Sequence, residues 1–135
     1  MSDPPRPRVL LADDYVGILT ALERLLKFDC EIVGSVADGL ALLDATKRLR
    51  PDVIVVDLNM PALSGLAACR RIKQTAPDIE VIVLTANDDK WIEQVALGLG
   101  AFALIAKSKV TDRLLPAILQ ASSRAAAARL NQKTI

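Results

Sequence analysis

Short apolar runs alternate with stretches of helical periodicity along this chain. The runs are VLLA at 9–12, EIVGSV at 31–36, VIVVD at 53–57, VIVLTA at 81–86 and FALIA at 102–106. Each is short and apolar on both faces, which is typical of strands in a parallel sheet. The segments between them repeat apolar residues at three- and four-residue intervals, as the buried face of a helix does. The pattern predicts an α/β domain with five parallel strands and helices on both faces of the sheet.

Capping and turn residues agree with this alternation. Asp38 and Ser64 are predicted N-caps, and Gly100 stands where a helix should end. A last helix is predicted from about Thr111 into the alanines at 125–128. These signals therefore place the helix ends in the segments between the predicted strands.

The length of the chain limits its organisation to one domain. We expect residues 1–7, which are rich in proline, to be a disordered lead, and residues 8–123 to form the domain. Residues 124–135 are predicted to be a helical extension, a linker or a tail, with Arg124 and Arg129 on the surface. The sequence leaves these three alternatives open.

Composition excludes several classes of function. The net charge of +1 gives no basic footprint for nucleic acid, and no apolar run reaches the roughly 18 residues of a membrane span. The chain has no histidine, and its two cysteines, Cys30 and Cys69, lack a chelating spacing. A zinc site is therefore not expected, and both cysteines are interpreted as buried, reduced thiols. We expect a cytoplasmic protein without membrane or nucleic-acid contacts.

Polar side chains stand where the apolar runs end. Asp13 and Asp14 follow the first run, Asp57 ends the third, Thr85 lies at the end of the fourth and Lys107 follows the fifth. The carboxyl ends of parallel strands share one edge of a sheet, so these groups should converge. Clustered carboxylates repel each other and need either raised pKa values or a cation. Oxygen ligands without histidine or cysteine favour Mg²⁺ or Mn²⁺, with Asp57 as a nucleophile toward phosphorus.

The motifs at these strand ends resemble those of a known family. They are LLADD at 10–14, VDLNMP at 56–61, LTA at 84–86 and the lysine in FALIAKS at 102–108. Together they resemble the receiver domain of two-component response regulators, and the wording is most similar to receivers of the LuxR-like class with helix-turn-helix output domains. The resemblance implies a flavodoxin-like (βα)5 fold with strand order 2-1-3-4-5.

The resemblance also implies roles for individual residues. Asp14 and Asp57 would bind Mg²⁺ directly, Asp13 would act through water, and the backbone carbonyl of Asn59 would be a further ligand. Asp57 would accept a phosphoryl group from a histidine kinase or phosphotransfer protein. Thr85 and Lys107 would then contact the phosphoryl oxygens. The expected protein is a phosphoacceptor that dephosphorylates itself slowly, not an enzyme for an external substrate.

The sequence has two notable features on the surface through which a receiver domain signals. Leu104 occupies the position where most receivers have a tyrosine or phenylalanine, and Phe102 is expected to share its strand face. Trp91, Val95 and Leu99 recur every four residues, as either a core stripe or an exposed contact strip. In this family such a strip would lie on the fourth helix, fifth strand and fifth helix, where a homodimer or another partner would bind.

Three other functions compete with this interpretation. An aspartyl-phosphate phosphohydrolase would carry an aspartate where this chain has Asn59, and a nucleotide or flavin carrier would need a phosphate loop after the first strand, which ADDYVGIL lacks. A receiver-like scaffold that binds partners without being phosphorylated stays open because of Leu104.

Overall fold

The computed structural model describes residues 5–87 and 89–133. Within them, five strands alternate with five α-helices, and a short 3-10 turn, Lys107–Lys109, follows the last strand. The strands are β1 Arg8–Ala12, β2 Glu31–Val36, β3 Val53–Asp57, β4 Glu80–Thr85 and β5 Ala103–Ala106. The helices are α1 Val16–Leu26, α2 Gly39–Leu49, α3 Gly65–Thr75, α4 Lys90–Gly98 and α5 Val110–Lys133. Residues 1–4 and 134–135, at the ends of the predicted lead and extension, lie outside the described residues.

The five strands form one parallel sheet in the order β2-β1-β3-β4-β5. This confirms the predicted fold class and strand order. The order reverses at β1, because the chain moves from β1 outward to β2 and then back across β1 to β3. The crevice at the carboxyl ends of β1 and β3 is therefore the topological switch point, where ligands bind in sheets of this kind.

Alternate residues of each strand face two separate hydrophobic cores. Leu10, Ile54 and Val83 pack toward α2 and α3, and Leu11 and Val55 pack toward α1 and α5. The central strands β3 and β4 are buried along their whole length, which fits the apolar residues at 53–56 and 81–84 that make up most of each strand. The sheet is thus a rigid middle layer that fixes where each strand ends.

Both cysteines are buried free thiols, as the sequence predicted. Cys69 lies in the core beneath α2 and α3, and Cys30 in the core beneath α1 and α5. Burial raises the pKa of each thiol to about 11, because the thiolate is poorly solvated in an apolar interior. Both therefore stay protonated and unreactive at neutral pH.

The predicted caps are present. A carboxylate oxygen of Asp38 accepts a hydrogen bond from the backbone amide of Ala41 at 2.7 Å, at the start of α2. The hydroxyl of Ser64 accepts from the amide of Ala67 at 3.2 Å, at the start of α3. Gly100 follows α4 with a φ of 105°, a left-handed conformation that favours glycine.

The expectation that Phe102 shares a strand face with Leu104 is wrong. Phe102 packs in the core beneath α1 and α5, whereas Leu104 packs in the opposite core. The reason is that β5 begins at Ala103, so Phe102 lies outside the regular alternation of the strand. The guanidinium of Arg124 in α5 lies 5.9 Å from the centre of the Phe102 ring.

The amino edge of the sheet carries a buried cluster of charge. Nη1 of Arg129 lies 2.6 Å from Oδ1 of Asp52, just before β3, and its Nε lies 3.2 Å from Oδ2 of Asp78, just before β4. The side chains of Asp52 and Asp78 are only 17% and 8% exposed. Arg129 is therefore only partly exposed, at 36% of its side chain, whereas Arg124 is exposed at 68%, as predicted. Residues 124–133 continue α5 without a break.

We expect the substitution Arg129→Met to lower the free energy of unfolding by about 1–3 kcal/mol, because it leaves two poorly hydrated carboxylates without their main donor. Urea denaturation followed by circular dichroism measures this loss. The matched control is Arg113→Met, at an exposed position of the same helix, which should stay within about 0.5 kcal/mol of wild type. Equal effects of the two substitutions would contradict the prediction.

Candidate functional site

The strand ends bring one lysine between two buried carboxylates. Asp13 follows β1, Asp57 is the last residue of β3 and Lys107 follows β5. The ammonium of Lys107 lies 3.1 Å from Oδ1 of Asp57 and 3.5 Å from Oδ2 of Asp13. The structure thus brings together residues that are far apart in the sequence, as the strand ends predicted.

Asp14 adds a third carboxylate to this group. Asp13, Asp14 and Asp57 each offer one oxygen within 4.8 Å of the other two. Asp13 and Asp57 are buried at 1% and 6% exposure, whereas Asp14 is exposed. The cluster is therefore open to solvent on the side of Asp14 and closed by the sheet on the other.

The two oxygens of Asp13 have different surroundings. Oδ1 accepts a hydrogen bond from the backbone amide of Tyr15 at 2.9 Å. Oδ2 is fully buried and has no hydrogen-bond partner among the described residues, although the ammonium of Lys107 lies nearby. A buried carboxylate oxygen without a hydrogen bond is costly, so this atom is available to a cation or a water held by one.

The charges in the cluster do not balance. Burial raises the pKa of Asp57 above its ordinary value, and the charges of Asp13 and Asp14 act in the same direction against the lowering effect of Lys107. Burial would lower the pKa of Lys107, but its hydrogen bond to Asp57 and the charge of Asp13 raise it overall. The ammonium of Lys107 therefore does not fully offset the effect of burial and of the neighbouring carboxylates on the pKa of Asp57.

The donor set fits a hard divalent cation. The three carboxylates supply only oxygen ligands, and the buried Oδ2 of Asp13 has no hydrogen bond from residues 5–87 and 89–133. Mg²⁺ prefers oxygen ligands, keeps several waters and is commonly held by one or two carboxylates, and Mn²⁺ accepts the same ligands. The exposed Asp14 gives solvent access to the cluster on that side.

Thr85 and Asn59 lie at the same edge of the sheet, since Thr85 ends β4, which pairs with β3, and Asn59 follows the end of β3. Thr85 ends β4 at 3% exposure, and its hydroxyl donates to the backbone carbonyl of Asn87 at 3.1 Å. Among the described residues, the hydroxyl is thus held within its own turn by Asn87 and not by a carboxylate. Asn59 is exposed in the loop after Asp57, two residues beyond it.

The predicted strip on α4 is exposed at one end only. Trp91 is 68% exposed, whereas Val95 and Leu99 are half-buried. Leu97 adds a further exposed apolar side chain at 46%. Leu104 on β5 is half-buried and packs in the core beneath α2 and α3. The apolar surface of this helix therefore centres on Trp91.

Comparison with known families identifies this arrangement. The family model described as the response regulator receiver domain matches residues 9–119. This chain belongs to that family. It is a receiver domain of the two-component type, and the match spans β1 to α5, including every strand end that contributes to the cluster.

Individual relatives agree with the family assignment. The response regulator MprA from Mycobacterium leprae is 35% identical over 111 residues, which cover 82% of this chain and 49% of MprA. The response regulator domain of CheB from Thermotoga maritima is 31% identical, with a TM-score of 0.81 over 87% of this chain and 97% of that one. The receiver therefore spans about half the length of the curated relatives it matches.

A LuxR-family two-component response regulator from Aurantimonas has the same fold. It has a TM-score of 0.83 at 24% identity, covering 87% of this chain and 86% of that one. The expected likeness to receivers of the LuxR class is thus confirmed at the level of the fold. Within the described residues of this receiver, no helix is both long and apolar enough to cross a membrane.

Sequence reasoning missed the glycines that allow the loop after Asp57 to close. A Cβ on Gly65 would collide with the backbone of Asp57, and a Cβ on Gly39 would collide with the carbonyl oxygen of Leu63. The available signal was weak: in both cases a glycine, which is a poor helix former, directly follows a capping residue.

We expect the substitution Asp57→Asn to stabilise the metal-free receiver at pH 7. The pKa of folded Asp57 is raised, so ionised Asp57 costs stability at neutral pH, and this cost disappears as the pH falls through that raised pKa toward the ordinary 3.8. Thermal denaturation in EDTA at pH 7 and pH 4 measures the difference in stability between Asp57→Asn and the wild type. This difference should be smaller at pH 4 than at pH 7.

Mg²⁺ should make the wild type more stable than Asp57→Asn, the reverse of their order in EDTA. Binding at 100 times the dissociation constant stabilises the wild type by about 2.7 kcal/mol, and Asp57→Asn should gain much less. The exposed Asp44 supplies the control, because Asp44→Asn should respond to Mg²⁺ as the wild type does. A metal-free Asp57→Asn protein less stable than the wild type at pH 7 would contradict the account of the charge imbalance.

Proposed function

We propose that this receiver accepts a phosphoryl group on Asp57 from the phosphohistidine of a histidine kinase or a phosphotransfer protein, in a reaction that requires Mg²⁺ or Mn²⁺. The observation that supports it most strongly is the buried Asp57 carboxylate, 3.1 Å from Lys107 and within 4.8 Å of two other carboxylates. Such a group has a nucleophilic oxygen, a fixed positive charge and a set of metal ligands in one place.

The proposed step is a transfer between two nucleophiles. An oxygen of Asp57 attacks phosphorus, the phosphorus–nitrogen bond to the donor imidazole breaks, and its electron pair stays on the imidazole nitrogen. The product is an acyl phosphate on Asp57, whose added charge Lys107 partly neutralises. A divalent cation held by Asp14, Asp57 and the Asn59 carbonyl would supply further charge neutralisation for the transferring phosphoryl group.

Asn59 argues against turnover of an external substrate on chemical grounds. A side-chain amide is too weakly basic to take up a proton near neutral pH, so Asn59 does not act as a general base for water at this position. We therefore propose slow self-dephosphorylation in place of rapid hydrolysis. The same argument weighs against a phosphohydrolase, which would use an aspartate here.

The phosphoryl group would act as a switch through Thr85. Its hydroxyl, which now donates to the carbonyl of Asn87, would move to donate to a phosphoryl oxygen, a stronger and charge-assisted hydrogen bond. Leu104 lies on the neighbouring strand β5, paired with Val83 of β4. Because Leu104 is smaller than the usual aromatic residue, we propose that the signal passes through repacking of the half-buried β5 and α4.

A scaffold that binds partners without phosphorylation is the competing function. The departure at Leu104 favours it, because the aromatic residue that usually couples phosphorylation to the signalling surface is missing. The carboxylates and Lys107 favour phosphorylation, because a scaffold has no need for a buried and unbalanced charge cluster. Exposure to a small phosphodonor distinguishes the two.

Incubation with acetyl phosphate and Mg²⁺ should add the mass of one phosphoryl group to the intact protein. The substitution Asp57→Asn should abolish the adduct, and Lys107→Ala should slow its formation by about tenfold to a thousandfold, as loss of a charge-stabilising group does. Time-resolved intact mass spectrometry measures both effects.

Two controls make this result decisive. Asp44→Asn, at an exposed site, should be phosphorylated at the wild-type rate, and omission of Mg²⁺ should prevent the adduct. An adduct that persists in Asp57→Asn would refute the acceptor assignment. A wild-type protein that takes up no phosphoryl group and does not bind beryllofluoride would favour the scaffold.

Self-association through α4 is expected when the site carries beryllofluoride and Mg²⁺. Trp91 is the largest exposed apolar side chain of α4, and residues of this type dominate the binding energy of interfaces. Trp91→Ala should therefore raise the dimer dissociation constant by roughly thirtyfold or more. Analytical ultracentrifugation measures this, with the exposed Leu130→Ala as control. Equal dissociation constants for Trp91→Ala and the wild type would exclude this interface.

A further inference from the structure

The loop after Asp57 is closed by its own backbone. The amide of Leu58 donates to the carbonyl of Leu84 at 2.8 Å, and the amide of Gly65 donates back to the carbonyl of Leu58 at 2.9 Å. Residues 58–65, here called the acceptor loop, therefore start and finish at the same point. Asn59 lies inside this closed loop, so its backbone position depends on the conformation of the other loop residues.

A tight turn shapes the far end of the acceptor loop. The amide of Leu63 donates to the carbonyl of Pro61 at 2.7 Å, a three-residue turn centred on Ala62. Ala62 has a φ of 68°, a left-handed conformation that residues with a side chain seldom adopt. Such a conformation persists only where the surroundings hold it in place.

The surroundings that hold the turn belong to the start of α2. The carbonyl of Pro61 accepts a second hydrogen bond, at 3.2 Å, from the backbone amide of Gly39. Gly39 is the first residue of α2, where helix amides have no partner within the helix. The turn thus satisfies an amide that the helix leaves free, and the helix in return fixes the turn.

Only glycine permits this contact. A Cβ on Gly39 would lie 2.5 Å from Cβ and 2.8 Å from the carbonyl carbon of Leu63, and real Cβ contacts under 3.0 Å essentially never occur. The obstructing atoms include backbone, so no rotation of a side chain relieves the collision. The φ of Gly39 is not in the left-handed region, so the reason for glycine here is the space that the acceptor loop occupies.

We propose that Gly39 is a positioning residue for the metal site: its missing side chain and its amide hold the acceptor loop so that the Asn59 carbonyl is placed to bind the cation. This inference rests on the proposed function, which assigns that carbonyl to Mg²⁺. Mg²⁺ demands near-ideal octahedral geometry with short ligand distances, so displacement of one ligand by a fraction of an ångström weakens binding.

Mg²⁺ titration by isothermal calorimetry on the full chain tests the proposal. The substitution Gly39→Ala should raise the Mg²⁺ dissociation constant by about tenfold or more, as changes that support metal ligands typically do. The matched control is Gly98→Ala at the end of α4, where an added Cβ meets no atom within 4 Å. It should keep the wild-type affinity and gain up to about 1 kcal/mol in stability from helix propensity.

A second pair of variants tests the loop without touching α2. Ala62 is exposed, so substitutions there should leave the domain folded. Ala62→Gly accepts the left-handed conformation and should keep the wild-type affinity, whereas Ala62→Val disfavours it strongly and should weaken Mg²⁺ binding several-fold, by roughly threefold or more. This pair decides the question if Gly39→Ala does not fold.

Loss of stability alone must not mimic the result. Arg129→Met is destabilised at the opposite edge of the sheet and should bind Mg²⁺ with wild-type affinity at a temperature where it is folded. A folded Gly39→Ala protein within about twofold of the wild-type affinity would overturn the inference while leaving the proposed function intact. A wild type that binds no Mg²⁺ would instead overturn the proposed function itself, and this inference with it.

Discussion

Among the described residues, three carboxylates and the ammonium of Lys107 lie together at the carboxyl edge of this sheet, and the proposed function depends on this excess of negative charge. Parallel strands force Asp13 and Asp57 to the same edge, and the sheet buries them there. Lys107 reaches both but does not offset the cost of burial, so the pKa of Asp57 is raised. A site with this excess of negative charge favours the binding of a cation. A bound cation would in turn stabilise a phosphoryl group at the same site.

Both edges of the sheet carry buried carboxylates, but these carboxylates are paired differently at the two edges. At the amino edge, Arg129 binds Asp52 and Asp78 directly, so the cluster is internally paired and contributes to folding. At the carboxyl edge, one buried oxygen of Asp13 has no hydrogen-bond partner in the part of the chain that the structure describes. The strand β3 joins the two clusters, since Asp52 precedes it and Asp57 ends it. One strand therefore links the paired cluster at the amino edge to the candidate metal site at the carboxyl edge.

The sequence predicted the features of this site that follow from the strand topology, and it did not predict contacts between residues far apart along the chain. The convergence of Asp57 and Lys107 followed from the alternation of strands and helices, because parallel topology alone sets where strands end. The face of Phe102 could not be predicted, since it depends on whether β5 starts at residue 102 or 103. The pairing of Arg129 joins residues 77 and 51 positions away, which no local pattern encodes. The sequence shows a glycine at position 39, but it does not show that the backbone of Leu63 packs against it.

The most direct test of the central claim is the position of a bound cation in crystals of this receiver grown with Mn²⁺. The anomalous difference map should contain one peak at the carboxyl edge, bonded to carboxylate oxygens of Asp14 and Asp57 and to the carbonyl oxygen of Asn59. A Mn²⁺ peak elsewhere on the molecule, or none at this edge, would contradict the account.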